Sequence, residues 1–159
     1  MGGYQQQSTI NYDHVLCADF KKEVVTNQHG KAIGTTLTTE PRGGHTLRCN
    51  DVEAVGKETP GKHGVYKVAV KCKHPNGNSY LKTKAPGGQN TMFTKNWDKT
   101  RTMKECDAAW NSPEKVVRGD KWVSRTPSGV KVQGYIHKDY ATCYPVLEQS
   151  NKQKRRMKK

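Results

Sequence analysis

The sequence predicts an α+β fold built on antiparallel sheet. Three observations carry that reading. Residues 63–72 alternate apolar and basic positions and run into Pro75-Asn76-Gly77-Asn78, a hairpin turn, because Asn-Gly tolerates positive φ. A second alternating stretch, Val130, Val132 and Ile136, turns at His137-Lys138-Asp139 and returns with Tyr140, Thr142 and Tyr144 on one face. Two further stretches, near residues 10–20 and 103–110, repeat their apolar residues at helical spacing.

Taken in order, residues 1–8 are polar and read as a frayed N-terminus. Ile10, His14, Cys17 and Phe20, with Leu16 beside them, predict a short amphipathic helix. Residues 27–34 form a turn-rich connection, and the β-branched run 35–39 is a candidate strand. On the strand after His63, Tyr66, Val68, Val70 and Cys72 point one way and Lys67 and Lys71 the other. Residues 79–84 return as its partner, with Tyr80, Lys82 and Lys84 sharing a face. Residues 85–88 are a loop and 90–93 a short buried strand. Asp98 caps a helix whose apolar positions are Met103, Cys106, Ala109 and Trp110, ended by Asn111-Ser112-Pro113. Residues 113–129 are mixed, anchored by Trp122, and no internal repeat is present.

A chain of 159 residues fits one domain with room for two lobes. Only 32% of it is hydrophobic, with two Phe, so the core is small. The net charge of +14 points to a polyanionic partner. Nucleic acid is favoured over a membrane surface, because neither an amphipathic basic helix nor a long apolar run is found. No leader peptide is read in the sequence. Residues 150–159 carry six positive charges and no negative one, so +8 of the +14 stays on the body. That basic tail is read as disordered, either holding RNA loosely or simply solvated. The five cysteines are an odd number, widely spaced and without a C-x-x-C pair. This argues against a structural zinc site and against a secreted disulfide framework, and reads them mostly as small buried residues. Cys72 and His74 alone do not make a metal site.

Two glycine-flanked histidines carry the chemistry, in Arg42-Gly43-Gly44-His45-Thr46 and in Gly61-Lys62-His63-Gly64-Val65-Tyr66. Residues 59–97 contain no Asp or Glu but do contain Lys62, Lys67, Lys71, Lys73, Lys82, Lys84 and Lys95. Cutting RNA needs a base for the 2′-hydroxyl, an acid for the departing 5′-oxygen and a cation for the phosphoryl oxygens. Imidazoles serve as the first two near neutrality, and a lysine as the third. The glycines, Gly44 among them, let backbone approach a sugar-phosphate. His14 reads as an inner-face residue of the first helix, and His29, His74 and His137 as turn residues.

These residues carry a resemblance. Gly-Gly-His45-Thr, then His63-Gly-Val-Tyr-Lys-Val, then Asn90-Thr91-Met92-Phe93 before Trp97, then Gly129-Val-Lys-Val-Gln-Gly-Tyr-Ile and Thr142-Cys-Tyr144-Pro-Val together resemble the EndoU ribonuclease family. The resemblance is closest to the bacterial EndoU toxin domains and runs from about residue 11 to 148. It implies a helical N-terminal part, residues 9–58, followed by a β-rich part, 59–149, with two lobes flanking a catalytic groove. It implies His45, His63 and a lysine as catalytic residues. Lys84 fits the lysine best, with Lys82 as the alternative because the loop after it is lengthened. By analogy with RNase A-like chemistry, His63 is the base and His45 the acid. Thr91 and Tyr144 match positions that contact the nucleotide, though each also reads as an ordinary strand or core residue. Where the family has proline after Thr-Met-Phe, this chain has Thr94.

The implied function is an endoribonuclease that needs no metal or cofactor and leaves a 2′,3′-cyclic phosphate and a 5′-hydroxyl. The family context implies an antibacterial toxin, monomeric when free and not membrane-bound. It would be delivered into a target cell's cytoplasm to act on RNA, plausibly transfer RNA, and be held inactive by a cognate immunity protein. Uridine preference does not follow. The rival reading is a non-catalytic basic RNA-binding protein. A metal-dependent DNase would need a carboxylate cluster, which residues 59–97 do not supply.

Overall fold

Ile10, His14, Cys17 and Phe20 have helical spacing, yet they serve two different cores. The computed structural model of the chain describes residues 3–148. Its first helix, α1 (Tyr12–Leu16), has five residues and is capped by Asn11, whose side chain accepts from the His14 amide at 3.3 Å. Tyr12, Val15 and Leu16 enter one core with Ile10 and Trp122, while Phe20 enters another with Val68 and Met92. An extended strand can pass from one core to the other, whereas one helix face cannot. Cys17 is accordingly extended, and the next residue opens β1 (Ala18–Thr26), which pairs antiparallel with β2 (Ala32–Gly43). The expected helical lobe over residues 9–58 is corrected. Apart from α1 it consists of this ribbon and of β3 (Val52–Pro60).

β3 pairs with β4 (Tyr66–Lys73), which buries Tyr66, Val68, Val70 and Cys72 as the alternation predicts. The turn closes with the His74 amide donating to the Asn78 carbonyl at 2.8 Å, and Gly77 takes φ 92°. β5 (Ser79–Leu81) is shorter than expected, and β6 (Asn90–Met92) pairs with the first half of β4. α2 (Lys99–Trp110) starts as predicted at Asp98, whose carboxylate accepts from the Arg101 amide at 2.7 Å. A second four-stranded antiparallel sheet follows, in the order β10 (Tyr144–Pro145), β9 (Lys131–Tyr135), β8 (Lys121–Arg125), β7 (Val116–Arg118). The β7–β8 hairpin, turning at Gly119 with φ 61°, lies in the stretch whose pattern read as mixed. The sheets and the two helices make an α+β fold.

Two further expectations change. Asp107 of α2 is buried and accepts from the Tyr12 hydroxyl at 2.6 Å, the Gln7 amide at 2.7 Å and the hydroxyls of Tyr4 and Ser8. Buried charge calls for this many donors, and they tie residues 4–8 to α2 rather than leaving them frayed. Cys17 and Cys49 form a disulfide with Cα atoms 5.3 Å apart, contrary to the reading from spacing. α1 and the strand after it bring together two cysteines that sequence distance separates. Cys72, Cys106 and Cys143 are free and buried. The basic tail, residues 150–159, lies outside the described residues.

Candidate active site

The turns that carry the two histidines both pack on one short segment, residues 90–94. His45 follows Gly43 and Gly44, which take φ of 72° and 71°. A Cβ on Gly43 would stand 1.9 Å from the His14 carbonyl oxygen, so only glycine lets the turn close on α1. The Gly44 amide donates to the carbonyls of His14 and Cys17, both at 3.0 Å, and the His45 amide to Val15 at 2.8 Å. The His45 carbonyl accepts from Phe93 at 2.9 Å, and its Nδ1 donates to the Thr91 carbonyl at 2.7 Å. That last bond leaves Nε2 as the working nitrogen. The ring stacks on Tyr144, centroids 5.2 Å apart and planes 19° from parallel. Burial, then the nearby Lys82 and His14, hold the His45 pKa well below the usual imidazole value, against the Thr91 carbonyl.

His63 is reached from the other side. It sits exposed in a single 3₁₀ turn, Lys62–Gly64, with φ 59°, the only non-glycine residue at positive φ among the described residues. Backbone held in this region is strained and is found at functional sites. Its flanking glycines are packing devices. A Cβ on Gly64 would stand 2.4 Å from the Thr94 hydroxyl, and one on Gly61 2.7 Å from Leu147. The turn thus presses on the residue that ends the 90–94 segment. Thr94, which replaces the expected proline, is the residue it packs against.

The chain matches the model of the family described as bacterial EndoU nuclease over residues 8–147. It belongs to that family. Searches of curated proteins and of solved structures return no match to it.

The EndoU domain places its lysines differently from expectation. The Lys82 amide donates to the Val70 carbonyl at 2.9 Å, extending the β4–β5 pairing by one residue. Val70 faces inward, so Lys82 does too. Its Nζ donates to the Gly43 carbonyl and to Asn90 Oδ1, each at 2.8 Å. Burial lowers its pKa to about 8; Arg42 adds to that and Cys72 opposes it. Lys84 lies past the end of the sheet and is exposed. The shared face read for Tyr80, Lys82 and Lys84 therefore holds through Lys82 and fails at Lys84, and it is Lys82 that lies beneath the His45 turn.

Thr91 faces away from the buried Asn90 and Met92, and its hydroxyl bonds to no other described residue. Lys67 stands opposite it on β4. Tyr144 is half-buried, its hydroxyl accepting from Gln133 at 3.1 Å. Gly44 is buried, and its N–H and C=O are both bonded within the protein. A cavity of about 260 Å³ adjoins the 90–94 segment, lined by Thr46, Leu47, Arg48, Tyr66, Phe93, Thr94, Lys95 and Trp97. Among the described residues, one group of three metal-binding side chains falls together, Cys17, Cys49 and Asp51. Both its sulfurs belong to the disulfide, which leaves a lone carboxylate.

Sequence reasoning did not single out Asn90, whose amide bonds the carbonyls of Gly43 and Gly44. Its signal was its place directly before Thr91 in the motif, on the strand face opposite the residue that drew notice.

Proposed function

We propose that this EndoU domain is a metal-independent endoribonuclease. The observation that carries the reading is His45 with Nδ1 fixed and Nε2 free, held on the same segment as the His63 turn and above the half-buried Lys82. His63 takes the proton of the 2′-hydroxyl, and the 2′-oxygen attacks phosphorus. The bond to the 5′-oxygen breaks, and His45 Nε2 gives that oxygen its proton. The products are a 2′,3′-cyclic phosphate and a 5′-hydroxyl. Lys82 has one N–H without a partner among the described residues, which is available to a phosphoryl oxygen. Thr91 and Tyr144 serve the nucleotide. Acid–base chemistry of this kind needs no metal.

The substrate we propose is RNA, transfer RNA first, drawn in by the net charge of +14. The family context supports a toxin delivered to the cytoplasm of a target bacterium, monomeric when free and neutralised by an immunity protein. That partner would be acidic where it meets the lysines.

The test is incubation with bulk tRNA in EDTA, beside His45→Ala and His63→Ala. Each variant is expected to lose on the order of 10²–10⁴-fold in rate while keeping salt-sensitive binding. Cutting that survives both changes sinks the mechanism, and binding without cutting in the unaltered protein supports the rival RNA-binding reading. As acid, His45 must be protonated, and its pKa lies well below 6.5. His63, as base, must be neutral, so kcat/KM should rise and then fall with pH through two ionisations; a profile with one limb only leaves one histidine out of the proton transfers.

A further inference from the structure

Asn90 is 3% exposed, and both ends of its amide are in use. Nδ2 donates to the Gly43 carbonyl at 3.1 Å and to the Gly44 carbonyl at 2.9 Å. Oδ1 accepts from Lys82 Nζ at 2.8 Å, and Lys82 donates in turn to the same Gly43 carbonyl at 2.8 Å. These four bonds close a ring across three segments: the turn that presents His45, the residue that follows β5, and the first residue of β6.

The chemistry of the position is narrow. Positive φ at Gly43 and Gly44 turns two carbonyls toward the interior, and each buried carbonyl needs a donor. The neighbouring ammonium needs an acceptor. A carboxamide offers two donors and an acceptor on one small group. A carboxylate would face both carbonyls with like charge, and a cation could not accept from Lys82.

We propose that Asn90 is a positioning residue for RNA cleavage, holding the His45 turn and the Lys82 ammonium in one fixed relation. The proposal rests on reading His45 and Lys82 as acid and cation. Asn90 touches no substrate and acts through both of them. The charged and titratable groups that face Lys82 are Arg42 of β2, Cys72 of β4, His14 of α1 and His45. None of these supplies a carboxylate. An aspartate at position 90 would therefore be the negative charge nearest the ammonium and would hold its proton to higher pH.

The experiment compares Asn90→Ala and Asn90→Asp with the unaltered chain. It measures kcat and KM on RNA across pH, and follows the titration of Lys82 by NMR of labelled lysine. Both variants are expected to lose on the order of 10²-fold in kcat, the scale of a small misplacement of reacting groups, with KM near its original value. In Asn90→Asp the alkaline limb of activity and the Lys82 titration should move together to higher pH. Wild-type kcat in Asn90→Ala overturns the proposal, as does a Lys82 titration unmoved by Asn90→Asp. If the alanine variant melts out, Asn90→Ser keeps a donor and an acceptor; an intermediate loss of kcat supports the proposal and full kcat overturns it. If the unaltered chain cuts no RNA while Asn90→Asp still shifts Lys82, the ribonuclease reading fails and the contact between Asn90 and Lys82 stands.

Discussion

β1 and β4 are both antiparallel strands rich in valine and lysine, and they do opposite work. β4 buries every second side chain from Tyr66 to Cys72 and is paired along both edges, by β3 on one and by β5 and β6 on the other. β1 buries only Phe20, is interrupted by two bulges and, among the described residues, pairs with β2 alone. Past its base the ribbon leaves Val24 64% and Ile33 63% exposed. Strand-forming residues alone make a ladder; a second layer against one face makes it rigid. His45, His63, Lys82 and Thr91 sit on or against segments of the rigid sheet, and Tyr144 reaches them from β10 of the second sheet, stacked on His45. The ribbon touches the site only at its root, where β2 runs into Gly43 and His45.

The sharpest way to break this contrast is at the lysines. Lys82→Ala should cost on the order of 10²–10³-fold in RNA cleavage, the scale of losing one stabilising donor, while the exposed Lys84→Ala stays within a few-fold. Equal losses would move the cation off the sheet. A smaller effect separates the layers by stability. Met92→Ala, fully buried on β6 beside β4, should lower unfolding free energy in urea by about 2–5 kcal/mol. Val24→Ser and Ile33→Ser on the ribbon should stay within about 0.5 kcal/mol and leave cleavage intact.

The junction between the two regions should answer to pH. Burial, then Lys82, Arg42 and His137, lower the His14 pKa from 6.5 to about 4, against Asp19. The unfolded chain therefore binds a proton at His14 that the folded one resists. Stability is whole above 6.5 and falls as pH drops through about 4, by as much as ~3 kcal/mol. Melting temperature followed from pH 7 to 4 should show that slope. His14→Gln should flatten part of it, and the remainder belongs with His45, whose pKa is lowered in the same sense.

What could be read in advance follows the same division. β4, its turn and the Asp98 cap were legible because burial on one face writes a period of two, and because caps and Asn-Gly turns have fixed chemistry. His45 and His63 stood out through their glycines. That both of their turns pack on residues 90–94 was hidden, since it depends on which strand pairs with that segment. Of the ribbon only the turn and the β-branched run 35–39 were read, because its side chains face water on both sides and leave little periodicity to detect, while residues 10–20 imitate a helix by serving two cores. Lys82 and Lys84 share a strand parity, so only the point where the chain leaves the sheet tells them apart. The Asp107 anchor and the Cys17–Cys49 link join residues far apart in sequence, which local pattern does not register.

That link has a consequence for how the molecule is wired. Cys17 and Cys49 lie 32 residues apart, and the loop they close contains the whole ribbon, with its exposed tip at residues 27–31. A protease nick at that tip would open a covalent ring without releasing either piece. The leading fragment would remain tethered at Cys17, with the α1 carbonyls still gripping the amides before and at His45. The ribbon can be cut and the two halves of the nuclease remain one molecule until the sulfurs part.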